Sequence, residues 1–307
     1  MASRPEQRQG IIAGTGFSEK ASGFEVIQTD YGDVRFGHLE LGGRDTIFLA
    51  RHQQLQIPSH VNYRANVEAL KLLGVNRVFT ISAAGRMNKD VLPGHLVNIS
   101  DLVWDQTGNR ETTFAEDGAL ILHAPLAGLY SAGLRAAIDE SWEEARPEVE
   151  KIYRGISGLS VGYHQDGVYF NTETPQFSTE AREAWLRNTV PDIKLIGQTS
   201  MPEAALLREM GIAQATIGMC TDHSTFPGAV RVSHAAEGGV IDVANVTSLA
   251  ALAVLNRAVA KIPDDFNDPM VEGMFKGSIS PSQVDMGKLQ SKRPRLAVIV
   301  QNVLSSS

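Results

Sequence analysis

Short apolar runs recur along this chain, and most of them stop at a glycine, a hydroxyl or a charge. Ile11-Ile12-Ala13 runs into Gly14-Thr15-Gly16, residues 46–50 end at Arg51-His52, and residues 75–82 end at Ala83-Ala84-Gly85. Residues 193–199 close on Thr199-Ser200, and residues 212–221 stop at Asp222. Apolar runs of this length bounded by turn residues fit buried strands. Between them lie stretches with helical spacing: Val61, Ala65, Ala69 and Leu72 share one face of residues 60–73, with Gly74 as a C-cap. Further helices are expected over 129–145, over 178–186 with Ser178 as N-cap, from Pro202 to Gly211, and over 239–261. Alternating residues near 25–27 and 34–41 read as antiparallel strands turned at Gly32 and Gly42-Gly43, and residues 96–103 and 155–172 as further strands, the latter with small-residue breaks.

Strands that alternate with helices predict a single three-layer α/β/α domain around a mixed, mainly parallel central sheet. Ligands of such sheets bind outside the carboxyl ends of the strands, which is where the polar residues cluster. The domain is expected to occupy residues 1–262. Residues 263–307 read as an atypical C-terminal extension, loop-like from Asp264 to Arg295 and apolar again from Leu296 to Leu304, packing on the domain or on a neighbouring subunit. No internal repeat is visible.

Composition narrows the function classes. A 307-residue chain with 43% hydrophobic and 21% charged residues has the make-up of a globular protein with a sizeable core. A net charge of −7 without a basic run argues against nucleic acid as a partner. Membrane association is not expected either: no apolar stretch is expected to approach the roughly 20 residues needed to span a bilayer, and the first ten residues lack a signal-peptide apolar region. With Cys220 as the only cysteine, the expectation is a cytoplasmic protein without disulfides. His38, His52, His60, His95, His123, His164, His223 and His234 show no helical zinc spacing and have no cysteine set beside them, so no metal site is expected.

Several strand ends carry groups suited to an anion. Glycines let the Gly14-Thr15-Gly16 backbone approach one, and the threonine adds a hydroxyl donor. Arg51 can fork onto a phosphate, or make an ordinary strand-end salt bridge. Ser82 adds a hydroxyl, and Thr199-Ser200 precedes a helix whose N-terminus favours anions. Together they point to an oxyanion site. Asp222 directly follows an apolar strand; a partly desolvated carboxyl there keeps its proton and can protonate a departing heterocycle. A turn cap is the alternative reading of the same residue.

The chain resembles the purine nucleoside and methylthioadenosine phosphorylases, and within them the methylthioadenosine phosphorylase branch. The resemblance is carried in order by Ile12-Ala13-Gly14-Thr15-Gly16-Phe17, Phe48-Leu49-Ala50-Arg51-His52, and Pro58-Ser59-His60-Val61-Asn62-Tyr63-Arg64-Ala65-Asn66. It continues through Ala83-Ala84-Gly85 with Pro93-Gly94, Thr172-Glu173-Thr174-Pro175-Gln176-Phe177, Thr199-Ser200-Met201-Pro202-Glu203 and Thr221-Asp222, covering about residues 9–262. It implies phosphate binding by Thr15, Arg51, His52, Ser82 and Thr199. It implies substrate contacts from Ala83, Phe177, Ser178, Gln198 and Ser224, with His123 reaching the sugar 5′ end from a neighbouring subunit of a homotrimer. The implied reaction is phosphorolysis of a purine nucleoside, with Asp222 as proton donor and inorganic phosphate as co-substrate, and without a metal or organic cofactor. An Asp rather than an Asn at 222 implies a 6-aminopurine.

The match departs near the site. A Gly and a second His expected after His52 are replaced by Gln53-Gln54-Leu55-Gln56, and the usual Glu-Gly-Pro-Arg-Phe reads Glu173-Thr174-Pro175-Gln176-Phe177. A pocket Met appears as Gln198, and a second carboxylate beside the purine amine appears as Ser224. The expectation is a pocket more polar at the sugar and less acidic at the base, in which a buried Gln198 amide needs a partner, and a substrate modified at sugar or base. Two alternatives stand beside it: a changed reaction such as hydrolysis or another glycosyl transfer, and a non-catalytic nucleoside-binding protein.

Overall fold

The computed structural model describes residues 8–14, 17–52, 56–105, 110–115, 117–173, 175–228 and 239–305. Its strands are β1 (Arg8–Ala13), β2 (Ser22–Thr29), β3 (Gly32–Leu41), β4 (Arg44–Ala50), β5 (Val75–Arg86), β6 (Leu96–Asn98), β7 (Asp101–Trp104), β8 (Tyr163–His164), β9 (Val168–Asn171), β10 (Ile193–Gly197) and β11 (Ala213–Asp222). They form one mixed sheet with the path β2-β3-β4-β1-β5-β10-β9-β7, while β11 pairs with both β5 and β6, and β6 with β8. The strands at its centre are parallel: β1 with β4 and β5, and β5 with β11. The hairpin β2-β3-β4 is antiparallel, as its alternating sequence and glycine turns predict.

Helices cover both faces. They are α1 (Tyr63–Leu72), α2 (Ala132–Asp139), α3 (Trp142–Ile152), α4 (Glu180–Thr189), α5 (Glu203–Glu209), α6 (Val240–Lys261), α7 (Pro269–Gly277), α8 (Met286–Lys292) and α9 (Pro294–Ser305). Alternation along β1 supplies both layers: Ile11 packs into a core with Phe48, Phe79, Ile217 and the α6 residues Val254 and Leu255, while its neighbour Ile12 packs with Leu49, Val78, Leu70 and the α9 residue Val300. Each of these side chains is fully buried or nearly so, worth about 1.5–3 kcal/mol apiece against exposure. The three-layer α/β reading of the sequence therefore holds.

Boundaries differ in informative ways. The helix expected from residue 60 begins at Tyr63, because Asn62 caps it, its side chain accepting from the Ala65 N–H at 3.2 Å. The helix expected over 129–145 is two, α2 and α3, each with a serine at its N-cap position: Ser131, whose side chain caps α2, and Ser141, which does not use its side chain that way. Thr179, not Ser178, caps α4. The strand expected over 155–172 shrinks to β8 and β9, since Gly155 and Gly158 sit at positive φ and break the extension.

Two larger corrections concern the C-terminal half. α6 is 22 residues long and apolar enough, by length and composition, to cross a membrane, so the expectation that no stretch approaches that length is wrong. Here it packs on α3, α2 and β11 as a core helix. Residues 264–295 are not loop-like: they contain α7 and α8, capped by Asp268 and Asp285. α9 then returns Leu296, Ala297 and Val300 to the core under α1, its first turn tied down by two N–H donations, from Arg295 and Leu296, to Asp30 Oδ2, each 2.9 Å.

Candidate active site

Sheet register gathers the polar strand ends. β1 and β4 end side by side, with Ala13 opposite Ala50 and the Arg51 N–H donating to the Ala13 carbonyl at 2.8 Å. Gly14 thus lies against Arg51 and His52; a Cβ on it would stand 4.0 Å from Arg51 Nη1 and 3.8 Å from His52 Cδ2. Thr15, the threonine of this turn, lies outside the described residues. Next to β1 is β5, buried along its second half except at Ala83, whose side chain faces open space. β11 continues alongside, with Gly218 opposite Ser82, Cys220 opposite Ala84 and, past a bulge, Asp222 opposite Gly85. β10 crosses the end of β5 antiparallel, pairing Ile196 with Gly85, and delivers Thr199.

The hydroxyls meet at hydrogen-bond distance. Ser82 Oγ lies 2.7 Å from Thr199 Oγ1 and 3.0 Å from the Tyr169 hydroxyl. Tyr169 occupies the space in front of Gly197, where a Cβ would collide with its hydroxyl at 1.9 Å, so glycine is required there. Beside this cluster Arg51 is 2% exposed. Its Nε and Nη2 donate to Glu203 Oε2 and Oε1, both at 2.8 Å, and Nη1 donates to the Ile81 carbonyl at 2.9 Å. The salt-bridge reading of Arg51 is thus realised, with a bidentate partner from the first residue of α5. Three of a guanidinium's five N–H donors are used this way, and the remaining two are held in a fixed direction. The half-buried His52 points Nδ1 to the Gln56 carbonyl at 2.8 Å. Burial, then the Arg51 and Arg110 charges, hold its pKa down at about 4, so it is a neutral donor or acceptor at pH 7.

The carboxyl end of β11 forms a second cluster. Asp222 is largely buried, and burial pushes its pKa up; the Ser224 N–H and Thr221 hydroxyl oppose that, while the Glu183 charge adds to it. The Ser224 N–H donates to Asp222 Oδ1 at 2.7 Å and the Thr221 hydroxyl to Oδ2 at 3.0 Å. Ser224 holds φ +49°, a left-handed conformation that a serine adopts at a cost of about 1–3 kcal/mol. Both side chains sit over Gly85: a Cβ there would be 2.9 Å from Asp222 Oδ1 and 3.3 Å from Ser224 Oγ.

Behind Ser224 stands a carboxylate that the sequence reading did not assign. Glu183, on the buried face of α4, accepts from Ser224 Oγ at 2.5 Å, from the Thr225 N–H at 3.1 Å and from Thr225 Oγ1 at 2.6 Å. The expected loss of acidity at this end is therefore corrected: the acid is present, supplied from α4. The Gln198 expectation is corrected as well. That side chain is partly exposed rather than buried, and its amide donates to the Gln176 carbonyl at 2.9 Å, so no unpartnered buried amide arises.

Phe177 is 69% exposed, and Ser178 Oγ is buried without a hydrogen-bond partner among the described residues. His123 is exposed on a segment whose N–H donates to the Ser278 carbonyl, toward the C-terminal helices rather than the strand ends. Two arginines went unnoticed in the sequence. Arg110, 7% exposed, donates from Nη1 to the carbonyls of Gln198 and Met201 at 2.6 Å each, pinning the turn that carries Thr199. It also lines a cleft of about 310 Å³ with Ser59, His60 and Tyr63. Arg86 donates to His223 Nδ1 at 2.9 Å, and burial followed by that charge lowers the His223 pKa. Among the described residues no group of three His, Cys, Asp or Glu side chains is placed to hold a metal ion.

Comparison with known proteins bears on this arrangement. Residues 9–260 match the family described as the phosphorylase superfamily. An S-methyl-5'-thioadenosine phosphorylase of Rhodospirillum rubrum is 34% identical over 221 residues, covering 69% of each chain. A probable 6-oxopurine nucleoside phosphorylase of Thermococcus kodakarensis is 30% identical over 279 residues, 87% of this chain and 97% of its own. The crystal structure of a methylthioadenosine phosphorylase from an antarctic soil metagenomic library superposes with a TM-score of 0.79 at 27% identity, over 96% of this chain and 99% of that one. Sequence match, fold and the gathering of polar groups at the strand ends agree: the chain belongs to the phosphorylase superfamily.

Proposed function

We propose that the protein cleaves the N-glycosidic bond of a purine nucleoside with inorganic phosphate, releasing the free base and a sugar 1-phosphate, and that its substrate is a methylthioadenosine-like nucleoside with a 6-aminopurine base. The observation that carries this reading is the pairing of two unlike ends around the exposed Ala83. On one side stand the Ser82–Thr199 hydroxyls and the fixed Arg51 guanidinium, suited to a phosphate. On the other stands Asp222, whose raised pKa suits a proton donor.

In the proposed reaction the glycosidic bond lengthens toward an oxocarbenium-like sugar as its electron pair moves into the purine. Asp222 passes its proton to purine N7, where the charge accumulates. Phosphate, held by Arg51, Ser82, Thr199, His52 and Thr15, attacks C1′ from the opposite face. Positioning and fixed charges supply the acceleration, and the reaction so written needs no metal or organic cofactor. Ala83, Phe177, Ser178, Gln198 and Ser224 are assigned to the nucleoside. His123 is assigned to a neighbouring subunit's sugar in a homotrimer, a role its exposure supports. The lone cysteine fits a cytoplasmic enzyme.

The test is base release from methylthioadenosine, adenosine and inosine by the pure protein, with and without phosphate, followed by chromatography of base and sugar phosphate. Phosphate-dependent release supports the reading. Release that ignores phosphate replaces it with hydrolysis.

A further inference from the structure

We propose that Glu183 sets the hydrogen-bond polarity of the base pocket: by accepting the hydrogen bond of the Ser224 hydroxyl it leaves Ser224 Oγ as an acceptor, so that the pocket selects a 6-amino over a 6-oxo purine. This rests on the reading that the base lies against Asp222 and Ser224. A serine hydroxyl has one proton and two lone pairs, and either can face a ligand. At this site the proton is committed. Glu183 is fully buried at 0% exposure, and its two oxygens accept from Ser224 Oγ at 2.5 Å and from Thr225 N and Oγ1 at 3.1 and 2.6 Å. An ionised carboxylate is an acceptor only, so three converging donors match it and fix the direction of the Ser224 O–H. Arg187 Nη1, 3.4 Å from Oε2, supplies the balancing charge.

The lone pairs left on Ser224 Oγ stand next to the Asp222 carboxyl. The two oxygens lie 3.3 and 2.9 Å from one point, the position of an absent Cβ on Gly85. A protonated Asp222 beside an acceptor-only Ser224 presents one donor and one acceptor side by side. The edge of adenine is the complement, with N7 accepting and the 6-amino group donating. A 6-oxopurine presents two acceptors on that edge, and its oxygen would face lone pairs. The polarity is imposed from α4, outside the β11 segment that touches the base. Residues 183 and 224 are 41 positions apart, which is why the sequence alone assigned the site a lost carboxylate.

The experiment is calorimetric titration of the full-length protein with free adenine and with free hypoxanthine, in the presence of phosphate, for wild type, Glu183→Gln, Ser224→Ala and the double variant. Glu183→Gln keeps the shape but turns one face of the side chain into a donor, which releases the Ser224 proton. Wild type is expected to favour adenine. Each single variant is expected to lower the adenine-to-hypoxanthine affinity ratio about tenfold, about 1.4 kcal/mol. The double variant is expected to add nothing further, because both changes remove one interaction. Should Glu183→Gln unfold the protein, Ser224→Ala alone decides. Equal weakening of both bases, an unchanged ratio, or a wild type that binds neither base or prefers hypoxanthine would overturn the proposal. The readout is separate from turnover: adenine-selective binding without phosphate-dependent base release would remove the proposed reaction and leave the pocket assignment standing.

Discussion

Removing the partner of a buried arginine should expose what that arginine is for. In Glu203→Gln the Arg51 guanidinium, 2% exposed, loses the carboxylate that takes two of its donors at 2.8 Å and keeps the Ile81 carbonyl. Breaking a buried pair by removing one member costs about 3–5 kcal/mol, because the other charge is left uncompensated. The amide oxygen of Gln recovers one hydrogen bond of about 1 kcal/mol, so a net loss of about 2–4 kcal/mol is expected in denaturant melts without phosphate. An anion bound beside Arg51 replaces the missing charge. Phosphate at 100 times its dissociation constant stabilises a folded protein by about 2.7 kcal/mol, and the variant should gain more from it than wild type does. Chloride at matched ionic strength should not reproduce the gain. A loss below about 1 kcal/mol, or phosphate stabilisation no larger than that of wild type, would refute the reasoning that Arg51 is a buried cation presenting spare donors to phosphate.

Three further outcomes follow from the same geometry. Asp222→Asn should lower turnover of 6-aminopurine nucleosides by at least about 10²-fold, the usual contribution of a positioned acid; wild-type turnover should fall as pH rises through the elevated Asp222 pKa, and the variant should lose that limb in a pH–rate profile. Gly85→Ala places a Cβ 2.9 Å from both Asp222 Oδ1 and Ser224 Cβ, so turnover should drop about tenfold or more while stability changes by about 1–3 kcal/mol, measured by paired kinetics and melts. Glu209 is buried, and burial lifts its pKa from 4.5 to about 7 despite donations from Phe114 N and Thr113 Oγ1. Because the folded-state value lies above the unfolded one, the folded protein binds more protons between those values. Its contribution is therefore fully present below about pH 4.5, declines as pH rises to about 7 and is lost above that. Glu209→Gln should remove that decline, gaining about 1–3 kcal/mol on wild type between pH 5 and 8 in chemical denaturation.

The layered fold was legible because apolar runs and helical spacing alternate, and the site because Arg51 and Asp222 stand at the ends of β4 and β11, Ser82 lies in the second half of β5 between them, and Thr199 follows β10, which crosses the end of β5. What sequence could not show are partners set by tertiary contact. Glu203 neutralises Arg51 from 152 positions away, Glu183 reaches Ser224 across 41, and Arg110 reaches the Thr199 turn from a loop without periodicity. α7 and α8 were missed for another reason. Each is short and begins at an aspartate cap, Asp268 before Pro269 and Asp285 before Met286, and short helices containing Pro or Gly look like loop when judged by composition. α6 matches the helix expected over 239–261; only its apolar length was underestimated, its small and apolar residues serving helix–sheet packing.

Phosphorolysis is measured most directly by release of free base from a panel of purine nucleosides as phosphate is titrated from zero, with sugar 1-phosphate measured alongside. No base release is expected without phosphate, saturable release with it, one sugar 1-phosphate per base, and faster turnover of 6-aminopurine than 6-oxopurine nucleosides. Base release at full rate without phosphate, yielding free sugar, would contradict phosphorolysis.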